Sequence, residues 1–160
     1  MAKENLVYLD ESGIDNRVHQ EYGRSPRGTK LFAGVAGSKR QRVSLIAATC
    51  RGGILAPLMF GGSCNTLVFN TWLEERLVPE LRPGKVVVMD NASFHKSART
   101  IELIESAGCR VLFLPPYSPD YNPIEHYWHK LKSAVKKLLP KCGDISSAIE
   151  AFFNPVFTPT

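Results

Sequence analysis

A chain of 160 residues, 44% hydrophobic and 22% charged, has the length of one domain and the composition of a globular one, which excludes a disordered or fibrous chain. Twenty Lys and Arg against fifteen Asp and Glu leave +5, unevenly spread: residues 17–51 carry +7, residues 126–143 carry +5, and the remainder carries −7. Solvated surface is the ordinary reading of a charge run, but two positive blocks around an acidic remainder suit a polyanionic partner better than a uniform excess would.

In chain order, residues 6–10 (Leu-Val-Tyr-Leu-Asp) read as a strand. Residues 15–30 are polar, basic and punctuated by Gly and Pro, as in a surface loop. Residues 31–36, 43–50 and 54–60 are rich in β-formers, and Arg51-Gly52-Gly53 between the last two reads as a hairpin turn. Asn65 is a candidate N-cap for a helix over 66–78, with Leu67, Phe69, Trp72, Leu73 and Leu77 on one face and Pro79 ending it. Beyond Arg82-Pro83-Gly84 the pattern changes. Residues 85–89 form a continuous apolar run, as expected of a strand covered on both faces. A helix near 97–107 follows, closed by Gly108, and then a short apolar strand over 110–114. Four prolines in 115–123 lead into a helix over 123–139. Asn122 suits its N-cap, Pro123 its first position and Glu125 its first turn, with Pro140 as the stop. A shorter helix covers 144–153. Hairpins first and alternating strand–helix units second predict a mixed α/β sheet.

The longest apolar stretches, such as residues 45–48 and 86–89, are far too short to span a bilayer, and the amino terminus lacks a signal-peptide segment. Cys50, Cys64, Cys109 and Cys142 are scattered without a Cys-x-x-Cys pair, which argues against a zinc site and fits free thiols in a reducing cytoplasm.

Three carboxylates end strands or begin helices, where open α/β sheets carry their sites: Asp10, Asp90 and Glu125. Each has a plainer reading. Asp10 can be a strand-end turn residue, Asp90 with Asn91 an Asx-turn or cap, and Glu125 one half of a capping box with Asn122. Together they have the chemistry of a site for two Mg²⁺ ions, since hard cations take oxygen ligands and leave positions for water and phosphate. Asp10 and Glu11 cannot both enter one site from a regular strand, and periodicity does not choose between them. Along the 123–139 helix, Glu125, His129, Lys132 and Lys136 fall on one flank, either as a carboxylate followed by a phosphate track or as solvated side chains.

Three blocks carry a resemblance. Tyr8-Leu9-Asp10-Glu11-Ser12-Gly13, Val88-Met89-Asp90-Asn91-Ala92-Ser93-Phe94-His95-Lys96, and Leu114-Pro115-Pro116-Tyr117-Ser118-Pro119-Asp120-Tyr121-Asn122-Pro123-Ile124-Glu125 resemble the signature blocks of DDE transposases. The likeness is to the mariner-like superfamily in its bacterial insertion-sequence branch, with 34 residues between Asp90 and Glu125. It implies a ribonuclease H-like α/β fold: a mixed five-stranded sheet, three antiparallel then two parallel strands, flanked by helices, with the first and fourth strands adjacent. It implies Asp10 rather than Glu11 as the first of three catalytic, metal-binding carboxylates with Asp90 and Glu125. The implied cofactor is a pair of Mg²⁺ ions, with Mn²⁺ able to substitute. The implied activity is cleavage of DNA strands at transposon ends followed by strand transfer, with insertion at TA dinucleotides. Lys132 falls on a lysine of the family pattern, with Lys136 and His129 beside it as DNA contacts, and Asn91 and His95 are expected to support Asp90. A homodimer in the active complex and a cytoplasmic, nucleoid-associated bacterial protein complete the expectation. The first catalytic strand opens the chain, so residues 1–160 read as the catalytic domain alone, with a helix-turn-helix polypeptide as separate partner. A stand-alone nuclease or resolvase, and a non-catalytic DNA-binding remnant, are the alternatives.

Overall fold

The computed structural model describes residues 3–15, 42–116 and 122–153. Strands β1 (Leu6–Asp15), β2 (Arg42–Cys50), β3 (Gly53–Phe60), β4 (Val86–Met89) and β5 (Arg110–Phe113) form one sheet in the order β3-β2-β1-β4-β5. The β1–β2 and β2–β3 pairs are antiparallel and the β1–β4 and β4–β5 pairs parallel, which is the mixed sheet the resemblance implies.

β1 runs five residues beyond the expected strand, because its polar second half pairs with β2 as far as Asp15↔Arg42. Arg51 and Gly52 join β2 to β3 at φ of 56° and 78°. Two consecutive left-handed residues make the tight hairpin whose twist matches its strands. An irregular register between Ile46 and Ala48 of β2 makes room for one extra residue on β3. There Ala56 takes a φ of 51°, and its carbonyl accepts a 2.7 Å hydrogen bond from Trp72 Nε1.

Helix α1 (Thr66–Trp72) begins at Asn65, whose side chain accepts from the Val68 N–H at 2.9 Å. Two expectations for it are corrected. Leu67 is 75% exposed, since it lies two positions, about 200° of helical turn, from Phe69. Pro79 does not stop the segment. The backbone widens into a π turn over Leu73–Leu77, and Pro79 sits at the start of a 3₁₀ turn, Val78–Glu80, where no N–H is needed. Helix α2 (Ala98–Ser106) is capped by Ser97, which accepts from the Thr100 N–H.

Helix α3 (Ile124–Cys142) corrects the expected stop at Pro140: the helix runs through it and ends at Gly143, φ 84°, whose N–H bonds to the Leu139 carbonyl. Proline in the last turn removes one bond without breaking the helix. Asp144 caps α4 (Ile145–Phe153) by accepting from the Ser147 N–H at 2.7 Å.

The sheet is covered on both faces. Val7, Leu9, Val87 and Met89 pack with Phe69, Trp72, Leu73, Leu77, Leu103 and Ile104 beneath α1 and α2. On the opposite face, Ile14, Leu45 and Ala47 pack with Ile124, Trp128, Leu131, Val135 and Ile149 beneath α3 and α4. β4 is buried along its whole length, whereas β5, at the edge, alternates exposed and half-buried residues. The β-rich 31–36 segment, the basic 15–30 loop beyond Asp15 and Tyr117 to Tyr121 of the proline-rich turn lie outside the described residues. No helix among the described residues is long and apolar enough to cross a membrane.

Candidate active site

The β1–β4 ladder ends at Tyr8↔Val88, and its constant register carried two residues further sets Asp10 level with Asp90. Strand alternation turns Asp10, like Ile14, toward the α3 side, and Glu11, like Val7 and Leu9, toward the α1–α2 side. The adjacent acids therefore serve opposite faces of the sheet.

Asn122 brings α3 to β1. Its buried side chain donates to the Leu9 carbonyl at 3.2 Å and accepts from the Ile124 N–H at 3.1 Å, tying the start of the helix to the residue before Asp10. Glu125, in the first turn, directs its carboxyl to that of Asp10, with which it shares a hydrogen bond, rather than back along its own helix as a capping box would. Burial raises the Asp10 carboxyl most; the Glu125 hydrogen bond and the charges of Glu11 and Glu125 raise it further, against a hydrogen bond from the Glu11 backbone, to about 8. The Asp10 carboxyl therefore holds its proton far more tightly than an ordinary aspartate.

Asp90, just past β4, has Oδ1 bound by the Ala92 N–H at 3.0 Å and 2.8 Å from His95 Nδ1, whose ring nitrogen also hydrogen-bonds the Asp90 backbone carbonyl at 3.2 Å. The His95 hydrogen bond lowers the Asp90 carboxyl, against burial, with the Ala92 N–H helping. His95 is fully buried, its ring centroid 4.6 Å from that of Phe69 and 4.4 Å from that of Phe94. Its Nε2 lies 3.0 and 3.1 Å from the two carboxylate oxygens of Glu11. Burial pulls the imidazole down, but hydrogen bonds to Asp90 and Glu11, with their charges, outweigh it and hold the group at about 10.

Among the described residues no three His, Cys, Asp or Glu side chains close into one metal cage. The donor set nonetheless fits a hard divalent cation. Two carboxyls meet across β1 and α3, and Asp90, just past the adjacent strand, is held through Oδ1 by the Ala92 N–H and His95, with Oδ2 turned to neither. The Cys64 thiol, pushed up to about 12 by burial and then by the charge of Glu11, is no soft ligand or nucleophile near neutral pH.

Of the remaining expected residues, His129 and Lys132 are exposed on α3 and Lys136 is half-buried one turn further on; Asn91 is exposed beside Asp90. On the other flank of α3, an open cleft of about 460 Å³ is lined by Tyr8, Arg51, His126, Tyr127 and Lys130. Glu11 was the residue the sequence reading set aside. The available signal was the acidic pair itself, since an acid beside Asp10 faces the other side of the sheet and needs its own partner there.

The fold has solved counterparts. The Mos1 transposase catalytic domain, in a structure with Raltegravir and Mn, matches with a TM-score of 0.58 at 17% identity over 94% of this chain and 78% of that one. The catalytic core of BIV integrase matches at 0.56 and 13% identity over 92% and 79%. Mos1 transposase in a paired-end complex with its left transposon end matches at 0.58 and 15% identity over 83% of this chain, which spans 42% of that longer one. These likenesses establish the ribonuclease H-like α/β fold. No curated protein matches the sequence significantly. The family model described as DDE superfamily endonuclease matches residues 5–146, from the start of β1 into α4 and across all three carboxylates, and the chain belongs to that family.

Proposed function

We propose that this chain is the catalytic domain of a DNA transposase, which cleaves strands at transposon ends and joins the freed 3′-hydroxyl to target DNA by in-line phosphoryl transfer. The observation that carries the reading is the meeting of the Asp10 and Glu125 carboxyls from β1 and α3, with Asp90 just past the end of the neighbouring parallel strand. Asp10, Asp90 and Glu125 would hold two Mg²⁺ ions, or Mn²⁺ in their place. Bound there, the ions activate the attacking oxygen and offset charge on the leaving one. Asn122 fixes Glu125 against β1, and the Ala92 N–H and His95 fix Asp90, so the carboxylates reach the reaction already oriented. Lys132, Lys136 and His129 line the flank of α3 along which phosphates would lie.

The transposon-end DNA in the Mos1 paired-end complex, whose catalytic domain shares this fold, supports DNA as partner and two such domains acting together. Insertion at TA, a bacterial insertion-sequence origin with nucleoid association, and end recognition by a helix-turn-helix polypeptide belong to the same proposal. The test is incubation with DNA carrying candidate ends in Mg²⁺ or Mn²⁺, scored for nicks and joined products. Asp90→Asn and Glu125→Gln should each remove both products. Cleavage that persists in either variant would overturn the assignment, and cleavage of branched DNA without preference for ends would replace it with a resolvase-like nuclease.

A further inference from the structure

We propose that Glu11 is a positioning residue for Asp90, acting through His95 as a carboxylate–imidazole–carboxylate strut across the end of the sheet. The proposal rests on the reading of Asp90 as a metal ligand and adds the residue that orients it.

The geometry defines the strut. Glu11 leaves β1 on the face opposite Asp10 and meets His95 Nε2 with both oxygens, at 3.0 and 3.1 Å. His95 Nδ1 lies 2.8 Å from Asp90 Oδ1 and within hydrogen-bond distance, 3.2 Å, of the Asp90 backbone carbonyl, so the ring holds both the side chain and the backbone of that residue. Acceptor oxygens of Asp90 stand at one ring nitrogen and the Glu11 carboxylate at the other, so the ring spans the two acids. The imidazole is fully buried against Phe69 and Phe94, so its orientation is set by packing as well as by its two hydrogen bonds. Asp90, by contrast, is half-exposed and follows the last residue of β4, where the ladder no longer holds the backbone. The Ala92 N–H bonds Oδ1, His95 Nδ1 lies against the same oxygen and holds the Asp90 carbonyl, and Oδ2 is left as the oxygen for a cation.

A buried ionic triad is a poor way to fill space, since apolar side chains of equal volume pack as well without the desolvation cost. As a brace it has a purpose. Partners behind ligating side chains orient them, and their loss typically weakens metal binding about 10- to 100-fold. The span also explains why two acids stand together midway along β1: one faces the reaction and its neighbour braces the carboxylate just past the next strand.

The experiment is a Mn²⁺ titration of the full chain by calorimetry, with a thermal melt of each variant in EDTA as the measure of folding. Glu11→Ala should raise the Mn²⁺ Kd about 10-fold, whereas Glu11→Gln, which keeps a partner for His95 Nε2, should recover most of the affinity. Glu11→Ala combined with His95→Ala should bind no more weakly than His95→Ala alone, because Glu11 acts only through the ring. A purely structural role would lower the melting temperature and leave the Kd of the folded protein unchanged, and that result overturns the proposal. If Glu11→Ala does not fold, Glu11→Asp, which keeps the charge but falls one methylene short, carries the same test. Asp90→Asn separates the two layers of inference. If it weakens Mn²⁺ binding and Glu11→Ala and Glu11→Asp do not, the strut alone falls; if it leaves Mn²⁺ binding unchanged, Asp90 is no ligand and both fall.

Discussion

In the metal-free protein, replacing Asp10 with Asn should stabilise the fold, although Asp10 is proposed to be catalytic. The carboxyl rises from 3.8 to about 8 on folding, chiefly through burial and the Glu125 hydrogen bond. Between those values the unfolded chain has released the proton that the native chain still holds, so the unfolded state binds fewer protons and stability falls as pH rises. At pH 7 that is about three units at about 1.4 kcal/mol each, a ceiling near 4 kcal/mol. The proton is shared with Glu125, and we expect about half of the ceiling to be recovered. Asn keeps a donor for Glu125 and cannot ionise. A gain of about 2 kcal/mol corresponds to a melting temperature higher by roughly 4–8 °C for a chain of this size. At pH 5 the gain should shrink to under about 1 kcal/mol. Thermal melts in EDTA at pH 5, 6, 7 and 8 read both quantities, and the His95 and Asp90 contributions cancel in the comparison. Mn²⁺ should then reverse the order, stabilising the wild type more than Asp10→Asn, because a ligand stabilises only the state that binds it. A variant that melts at or below wild type in EDTA, or parallel to it across pH, would refute the shared-proton account.

The loss of cleavage in Asp90→Asn and Glu125→Gln and the Mn²⁺ affinities of the Glu11 variants are two further expectations, with their assays given above. Lys132→Ala with Lys136→Ala should weaken DNA binding across sequences and flatten the plot of log K against log salt by about two units, roughly one per lost phosphate contact. An unchanged slope in a filter-binding or anisotropy titration would move the DNA off this flank. Trp72→Phe should cost about 1 kcal/mol more than Trp128→Phe in urea denaturation. Both indoles are buried, but Trp72 Nε1 bonds to the Ala56 carbonyl at 2.7 Å, while Trp128 Nε1 has no partner among the described residues. Equal costs would mean that the Ala56 bond adds nothing.

What the sequence made legible follows from periodicity. The apolar run at 86–89 and the β-rich stretches around Arg51-Gly52 became strands with ends shifted by a residue or so, because burial on one or both faces leaves a pattern that no other element shares. Helix stops were less legible. Pro79 and Pro140 sit where a missing N–H costs little, so the usual breaker rule overstates them. Leu67 shows the limit of an approximate helical face, being apolar yet open to solvent. At the site, Asp10, Asp90 and Glu125 stood out because each closes or opens an element in the sequence pattern, although β1 in fact runs on past Asp10 to Asp15. Glu11 did not, because its partner His95 lies 84 residues away and becomes its neighbour only once the sheet order is known.

Adjacent acids with opposite duties make strand register a functional quantity. Three residue pairs join β1 to β4, whereas eight join β1 to β2, from Tyr8↔Thr49 to Asp15↔Arg42. A slip of one residue would exchange the duties of Asp10 and Glu11, leaving the reaction face without its acid and His95 without its brace. The long outer ladder is therefore the alignment gauge for the short inner one. Substitutions along β2, which carries no carboxylate of its own, gain a route to inactivating the site while the protein stays folded.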